Sequence, residues 1–212
     1  MSDKVKERPI PYSAVMIRAL RAGMKTNTRR MINPQPEMRE GGQCRVRING
    51  NWNLGPADFL LRDAMPRFGC PYGQPGDRLW TREAWRTTAG LDHLPPRDIP
   101  MDAPIWYEAD GPAPAPQFGR YRHARFMCRW MSRGLDEVTD IRVERLQDIS
   151  EEDAKVEGIT PYKCGWSNGE MGPFSHPVLA FFTLWDSING DGSSDANPWV
   201  WVIEFKRVET KQ

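Results

Sequence analysis

The sequence predicts an α+β protein built around a small mixed β-barrel or curled sheet. Along the chain the pattern reads helix, three strands, two helices and a final strand, and the strands are short. Short strands with few crossover helices favour this architecture over a doubly wound parallel sheet. With 212 residues, 39% of them hydrophobic, the chain can bury one sizeable core, so we expect a single domain over residues 1–212 that carries insertions.

The first predicted element is a short amphipathic helix. Apolar residues recur at helical spacing from Ala14 to Leu20, and Gly23 is the residue type that commonly ends a helix in the left-handed conformation. Residues 25–30 are therefore expected to form the loop that leaves this helix.

Two segments rich in proline and glycine follow, and we expect them to be insertions at residues 33–72 and 87–120. The first is predicted to contain at most a short hairpin around residues 45–52, and the second one strand at residues 105–109. Between them, residues 76–85 start with a Gly-Asp turn and continue as a strand.

The third strand and the helix after it are predicted from local patterns. Residues 135–146 place charged side chains between apolar or β-branched ones, which indicates a half-buried strand. Ser150 opens a capping-box-like pattern for a short helix that runs to Glu157 and stops at Gly158.

The last two elements are a longer helix and a terminal strand. Residues 177–188 predict a helix. Its apolar face is predicted to consist of Leu179, Phe182, Trp185 and Ile188. Residues 199–208 are rich in strong β-formers, which predicts a buried strand with a charged, solvated end.

Composition excludes several classes of protein. The chain has no apolar stretch of the length that a membrane helix needs, and its first residues lack the apolar region of a signal peptide, so we expect a cytoplasmic protein without a membrane partner. Four cysteines without a Cys-x-x-Cys pair and three distant histidines predict neither a metal site nor a cofactor. A net charge of +1 leaves any affinity for nucleic acid to local clusters.

The strongest local cluster is the predicted loop after the first helix. It combines three cations, Lys25, Arg29 and Arg30, with the hydroxyls of Thr26 and Thr28. Such a loop suits a phosphate, a carboxylate or the edge of a nucleobase. The alternative is a solvated basic helix end that complements the helix dipole.

A second cluster interleaves cations with aromatic rings over residues 120–133. Arginine on phosphate and aromatic rings on bases are what single-stranded nucleic acid requires. In the alternative interpretation the rings belong to the core and the arginines pair with Asp136, Glu137 and Asp140.

Taken together, residues 23–30, the Gly-Asp-Arg-Leu-Trp strand at residues 76–80, the strand and capped helix ending at Glu157, and the last strand resemble the ASCH superfamily, in particular its phage and prophage proteins. The resemblance implies a PUA-like β-barrel flanked by short helices, a fold associated with binding RNA or modified bases. A phage protein of this kind acts in the cytoplasm of its bacterial host. Related phage proteins carry a similar Arg-Trp-x-Ser-Arg string, so the resemblance implies that Trp130, Ser132 and Arg133 line the cleft of the barrel, with Arg129 as a further binding residue. The two insertions lie outside the resemblance.

Enzymes of that superfamily hydrolyse N(4)-acetylcytidine with a lysine and a threonine of a Gly-x-Lys-Thr-x-Thr-x-Arg motif and a later glutamate. The matching residues here are Lys25, Thr28 and Glu157. The resemblance implies Thr28 as nucleophile, Lys25 as the base that activates it, and Glu157 as the group that passes a proton to the leaving amine.

Three functions follow as expectations. The first is an ASCH protein that binds a nucleoside or single-stranded RNA or DNA and removes an acyl group from a modified cytosine, without a cofactor. The second is a binding module without catalysis, and the third is a ribonuclease, an activity associated with some ASCH proteins. A hydrolase should keep Lys25, Thr28 and Glu157 within hydrogen-bond reach around a small closed pocket, whereas a binding module should show an open basic groove.

Overall fold

A computed structural model describes residues 5–114 and 117–208, so residues 1–4, 115–116 of the second predicted insertion and 209–212 fall outside it. In chain order the helices and strands are β1 (Glu7–Pro11), α1 (Ala14–Arg21), β2 (Asn27–Met31), β3 (Glu37–Arg39), β4 (Gln43–Ile48), β5 (Asn51–Pro56), a π-helical segment (Phe59–Ala64) continued by α2 (Met65–Phe68), β6 (Arg78–Arg82), β7 (Trp85–Arg86), β8 (Trp106–Tyr107), β9 (Leu135–Arg145), α3 (Glu151–Val156), β10 (Thr160–Tyr162), β11 (Gly165–Ser167), α4 (Pro177–Asn189) and β12 (Trp199–Arg207).

The centre of the fold is a five-stranded mixed sheet in the order β1–β6–β9–β12–β2. Strands β1 and β6 are parallel, and the other neighbours are antiparallel. The α+β class is therefore confirmed. The predicted barrel is not closed, because within the described residues β1 and β2 are free edges that do not pair with each other. A closed barrel needs every strand to have two neighbours.

The last strand separates two apolar cores. Side chains alternate along β12, so that Trp201 and Ile203 join a core with α1, while Val200 and Val202 join a second core with α4. Residues directly opposite in an antiparallel pair point to the same face. The pairing of β2 with β12 therefore assigns the side chains of β2 to one core or the other.

Three predictions of local structure are corrected. Of residues 25–30, predicted as a loop, only Lys25 and Thr26 lie in one, because residues 27–31 form β2 along the edge of the sheet. The apolar face of α4 is also different: its buried residues are Pro177, Ala180, Phe181, Leu184 and Trp185, and both Leu179 and Ile188 are 49% exposed. The first insertion holds more than a hairpin, since β3, β4 and β5 form a sheet and a helix follows it.

The other predicted elements are confirmed. Ser150 caps α3 by accepting a hydrogen bond from the backbone N–H of Asp153, as the capping pattern predicts. The hairpin around residues 45–52 is the pair β4–β5, and the strand at residues 105–109 is β8. Within the described ranges, no helix has the length and hydropathy to cross a membrane.

Candidate functional site

A buried ion pair connects the turn after α1 with the end of α3. The Lys25 Nζ donates to the Glu157 Oε2 over 2.5 Å and to the Glu157 backbone oxygen over 3.0 Å. Both side chains are almost completely inaccessible to solvent, at 0% and 3%. A backbone hydrogen bond from Thr26 to Val156 fixes the two segments against each other beside this pair.

The surroundings of Lys25 disfavour its charge. Burial lowers the pKa of the Lys25 ammonium from its ordinary value, and the neighbouring guanidinium groups of Arg30 and Arg29 lower it further, while Glu157 opposes both effects. A lysine with a lowered pKa can act as a base, and this is the property that the resemblance requires of it.

Arg29 extends the pair into a network of charges. Its guanidinium, fully buried, donates to Glu157 over 3.3 Å, to Glu144 over 2.5 Å and to Asp153 over 2.8 Å. Arg142 binds the same Glu144 and Asp153 from the other side. Arg29 thus makes four hydrogen bonds to carboxylates from its three guanidinium nitrogens, so this side chain positions Glu157 and has little capacity left for a ligand.

Two of the three proposed catalytic residues, Lys25 and Glu157, form a direct ion pair, and Thr28 takes no part in it. Thr28 lies opposite Ile203 and faces the core of α1, whereas Arg29 faces the core of α4. The Thr28 side chain makes no hydrogen bond to Lys25 or Glu157. Thr26 is exposed and takes part through its backbone.

A small inner cavity of about 50 Å³ reaches this network and opens toward a larger cleft. Glu157, Arg29 and Phe181 are among the residues that line the inner cavity. The cleft has a volume of about 450 Å³, within the range of small-molecule sites. Met16, Arg30 and Ile188 line both spaces, so the cleft and the inner cavity are adjacent.

One wall of the cleft combines Arg30 with Tyr12. The Arg30 guanidinium lies 5.0 Å from the centre of the Tyr12 ring and donates to the Pro11 carbonyl over 2.6 Å, which fixes its plane. Burial raises the pKa of Tyr12 and keeps its hydroxyl protonated. Within the described part of the chain this buried hydroxyl makes no hydrogen bond of regular geometry, and the adjacent Arg30 guanidinium partly opposes the rise in its pKa.

The opposite wall comes from the segment that follows the second insertion. Tyr121 is 52% exposed and presents an aromatic surface. The Nδ1 of His123 accepts a hydrogen bond from the backbone N–H of Arg125 over 3.1 Å, so the neutral ring carries its proton on Nε2 as a donor. Glu108 is the carboxylate of the cleft, and Arg86 holds it over 2.5 Å.

The residues proposed from the second cluster have structural contacts. Arg133 donates to both oxygens of the buried Glu83, at 2.8 and 2.9 Å, and Arg129 pairs with Glu7 over 2.8 Å. Ser132 donates to the Thr81 carbonyl over 2.8 Å, and Trp130 packs against a third apolar cluster. These contacts resemble the alternative interpretation, in which the rings belong to the core and the arginines form ion pairs. The carboxylates in these pairs are not the predicted ones. None of these four residues lines the cleft.

Sequence reasoning overlooked Tyr12 and Glu108 and assigned Ile188 to the core. Tyr12 precedes the N-cap of α1 and Glu108 follows β8, and no local pattern joins these positions. Within the described residues, no group of three or more His, Cys, Asp or Glu side chains is placed to hold a metal ion.

Comparison of the chain with protein-family models, curated proteins and solved structures finds no match. By its fold and its site, the chain is an α+β protein with an open mixed sheet, a buried Lys25–Glu157 pair and an adjacent cleft.

Proposed function

We propose that this protein is a PUA-like ASCH protein that binds a nucleoside, or one base of a single-stranded RNA or DNA, in the cleft between Arg30 and Tyr121. The cleft carries the proposal, since it offers two planar groups for stacking, the Arg30 guanidinium and the exposed Tyr121 ring. Stacking is tolerant of base identity, whereas the His123 N–H and the Glu108 carboxylate supply directional hydrogen bonds to a base edge.

The test is equilibrium binding of cytidine 5′-monophosphate and N(4)-acetylcytidine to wild-type protein and to Tyr121→Ser. Because base–aromatic stacking contributes about 1 to 3 kcal/mol, the variant should bind about 5- to 150-fold more weakly. Tyr162→Ser is the matched control, since Tyr162 is a similarly exposed tyrosine, at 43%, in β10 outside the cleft. Equal affinities of all three proteins would remove the cleft as the binding site.

Hydrolysis of an N(4)-acyl amide is the second candidate function. The observation that favours it is the buried Lys25–Glu157 pair, in which the pKa of Lys25 is lowered. Glu157 lines the inner cavity beside the cleft, so an acyl group on a bound base has a route toward it.

Cytidine release from N(4)-acetylcytidine, followed by chromatography, tests the second candidate. Thr28→Val removes the proposed nucleophile and costs no side-chain hydrogen bond to the pair. Release by wild type and loss of release in Thr28→Val and Lys25→Met would support hydrolysis. Binding of the nucleoside without release by wild type would leave the binding function alone.

A further inference from the structure

A second depression, which we call the basic groove, lies beyond Met31 from the inner cavity. It consists of adjoining hollows of about 520 and 230 Å³ that share Arg8, Asn49 and Cys70. Its walls come from β1 and the residue before it, the turn between β4 and β5, and the chain that leaves α2. The first insertion therefore builds much of this groove.

Positive charge is concentrated in the basic groove. Its lining contains four cations, Lys6, Arg8, Arg47 and Arg67, against one carboxylate, Asp77. The whole chain has a formal net charge of only +1, so the lining of the groove is much more positive than the chain as a whole. Cations from separate segments that meet along one concave surface create a positive potential that attracts anions.

These cations are largely uncommitted, in contrast to Arg29. Lys6, Arg47 and Arg67 are exposed and have no ion-pair partner among the described residues. The Arg8 Nε lies 4.0 Å from Asp77, and this buried atom has no hydrogen-bond partner within the described chain. Asp77 accepts instead from the backbone N–H groups of Lys6 and Gln74.

The basic groove adjoins the inner cavity, which in turn adjoins the cleft. Met31, 40% exposed, lines both the groove and the inner cavity, and Arg30 lines both the inner cavity and the cleft. Burial raises the pKa of Tyr72, a groove residue, and the nearby charge of Arg30 opposes that rise, so Arg30 acts electrostatically on both sides of Met31.

We infer that the basic groove binds the phosphodiester backbone of a single-stranded nucleic acid, one base of which occupies the cleft. The placement of that base rests on the proposed function, whereas the groove's affinity for phosphates does not. The groove is concave and consists of two hollows, a shape that suits a flexible strand better than a flat membrane. Its separation from the cleft by Met31 and the inner cavity gives a mononucleotide's own phosphate little reach into it.

The test measures binding of fluorescent single strands of about 16 nucleotides in RNA, DNA and abasic form over a salt series. The abasic strand offers phosphates without bases, so its binding depends on the groove and not on the cleft. The groove variant is Arg8→Gln/Arg47→Gln/Arg67→Gln. Its matched control is Arg62→Gln/Arg97→Gln, two arginines whose side chains are 81% and 85% exposed outside the groove.

If four cations each neutralise one phosphate, wild-type affinity should fall about 50-fold between about 50 and 200 mM salt, since the slope is about −0.7 per contact for single strands. The groove variant retains Lys6 and should lose only about 3-fold over the same range. The control should behave as wild type, and Tyr121→Ser should leave binding of the abasic strand unchanged.

Absence of abasic-strand binding at low salt, or an unchanged salt slope in the groove variant, would overturn the inference. A double variant, Arg47→Glu/Arg67→Glu, provides a second check that leaves Arg8 beside Asp77. Nucleoside binding with no gain from the strand would refute the groove and leave the proposed function intact. Binding of the abasic strand without binding of the nucleoside would support the groove and refute the proposed function.

Discussion

Replacing Glu157 with glutamine should make the stability of this protein depend on the charge of Lys25. The change removes the carboxylate that neutralises a lysine whose side chain is 0% exposed, while Arg29 keeps Glu144 and Asp153. Breaking a buried ion pair by removing one partner typically costs about 3 to 5 kcal/mol. The variant should therefore be strongly destabilised at neutral pH.

The pH dependence gives an upper limit to this cost. Lys25 can escape the penalty by losing its proton, which costs about 1.4 kcal/mol for each pH unit below its ordinary pKa of 10.5. The destabilisation of the variant is therefore limited to about 5 kcal/mol at about pH 7 and about 2 kcal/mol at about pH 9. The pKa of Lys25 is lower in the folded than in the unfolded Glu157→Gln variant. The stability of this variant must therefore rise between about pH 7 and about pH 9.

Urea unfolding followed by tryptophan fluorescence at several pH values measures this effect. The double variant Lys25→Met/Glu157→Gln lacks the titrating lysine, so its difference from wild type should not shrink as pH rises. Glu152→Gln is the surface control on α3, since the Glu152 side chain is 81% exposed. A loss below about 1 kcal/mol for Glu157→Gln at neutral pH, or an equal loss at high pH, would refute the reasoning.

Three further changes test other parts of the fold. Burial raises the pKa of Asp136 to about 6 from 3.8, so its stabilising contribution is complete at low pH and lost as pH rises through that value. Asp136→Asn should therefore be more stable than wild type by up to about 3 kcal/mol above about pH 7, and the two should converge near pH 4 in thermal unfolding. Arg133→Lys loses the two-pronged contact with the buried Glu83 and should cost about 2 kcal/mol in urea unfolding; an unchanged midpoint would contradict that role. Gly158 has a φ of 104°, and an added Cβ would lie 3.0 Å from that of Ala19, so Gly158→Ala should lower stability by about 1 to 3 kcal/mol on the same assay.

Elements with a local signal were predictable, and those formed by distant pairing were not. Ser150 and the charges that follow it predict α3 because a cap and a first turn are adjacent in sequence. Strand β2 carries Asn27, Thr28 and Arg29, which have no strand pattern of their own. They become a strand because β12 offers a free edge, and that information is absent from residues 25–30.

The candidate site divides in the same way. The resemblance points to Lys25 and Glu157, which the structure places in contact, but the cleft depends on Tyr12 and Glu108, which only tertiary structure brings together. The face of α4 was mispredicted because apolar residues surround most of that helix, so periodicity alone does not select the buried stripe. Ile188, which was assigned to the core, lines the cleft.

The edge position of β2 also determines when the site can form during folding. Within the described sheet, β12 is the strand that pairs with β2, although Thr28 and Ile203 are far apart in the chain. Closing so long a loop is entropically costly, and contacts of this kind form slowly. We expect the central hydrogen bonds between β9 and β12 to precede the docking of β2. Lys25 and Arg29 then meet Glu157 only after the rest of the sheet exists, so a partly folded chain carries these three charges in water and has no site to offer a ligand.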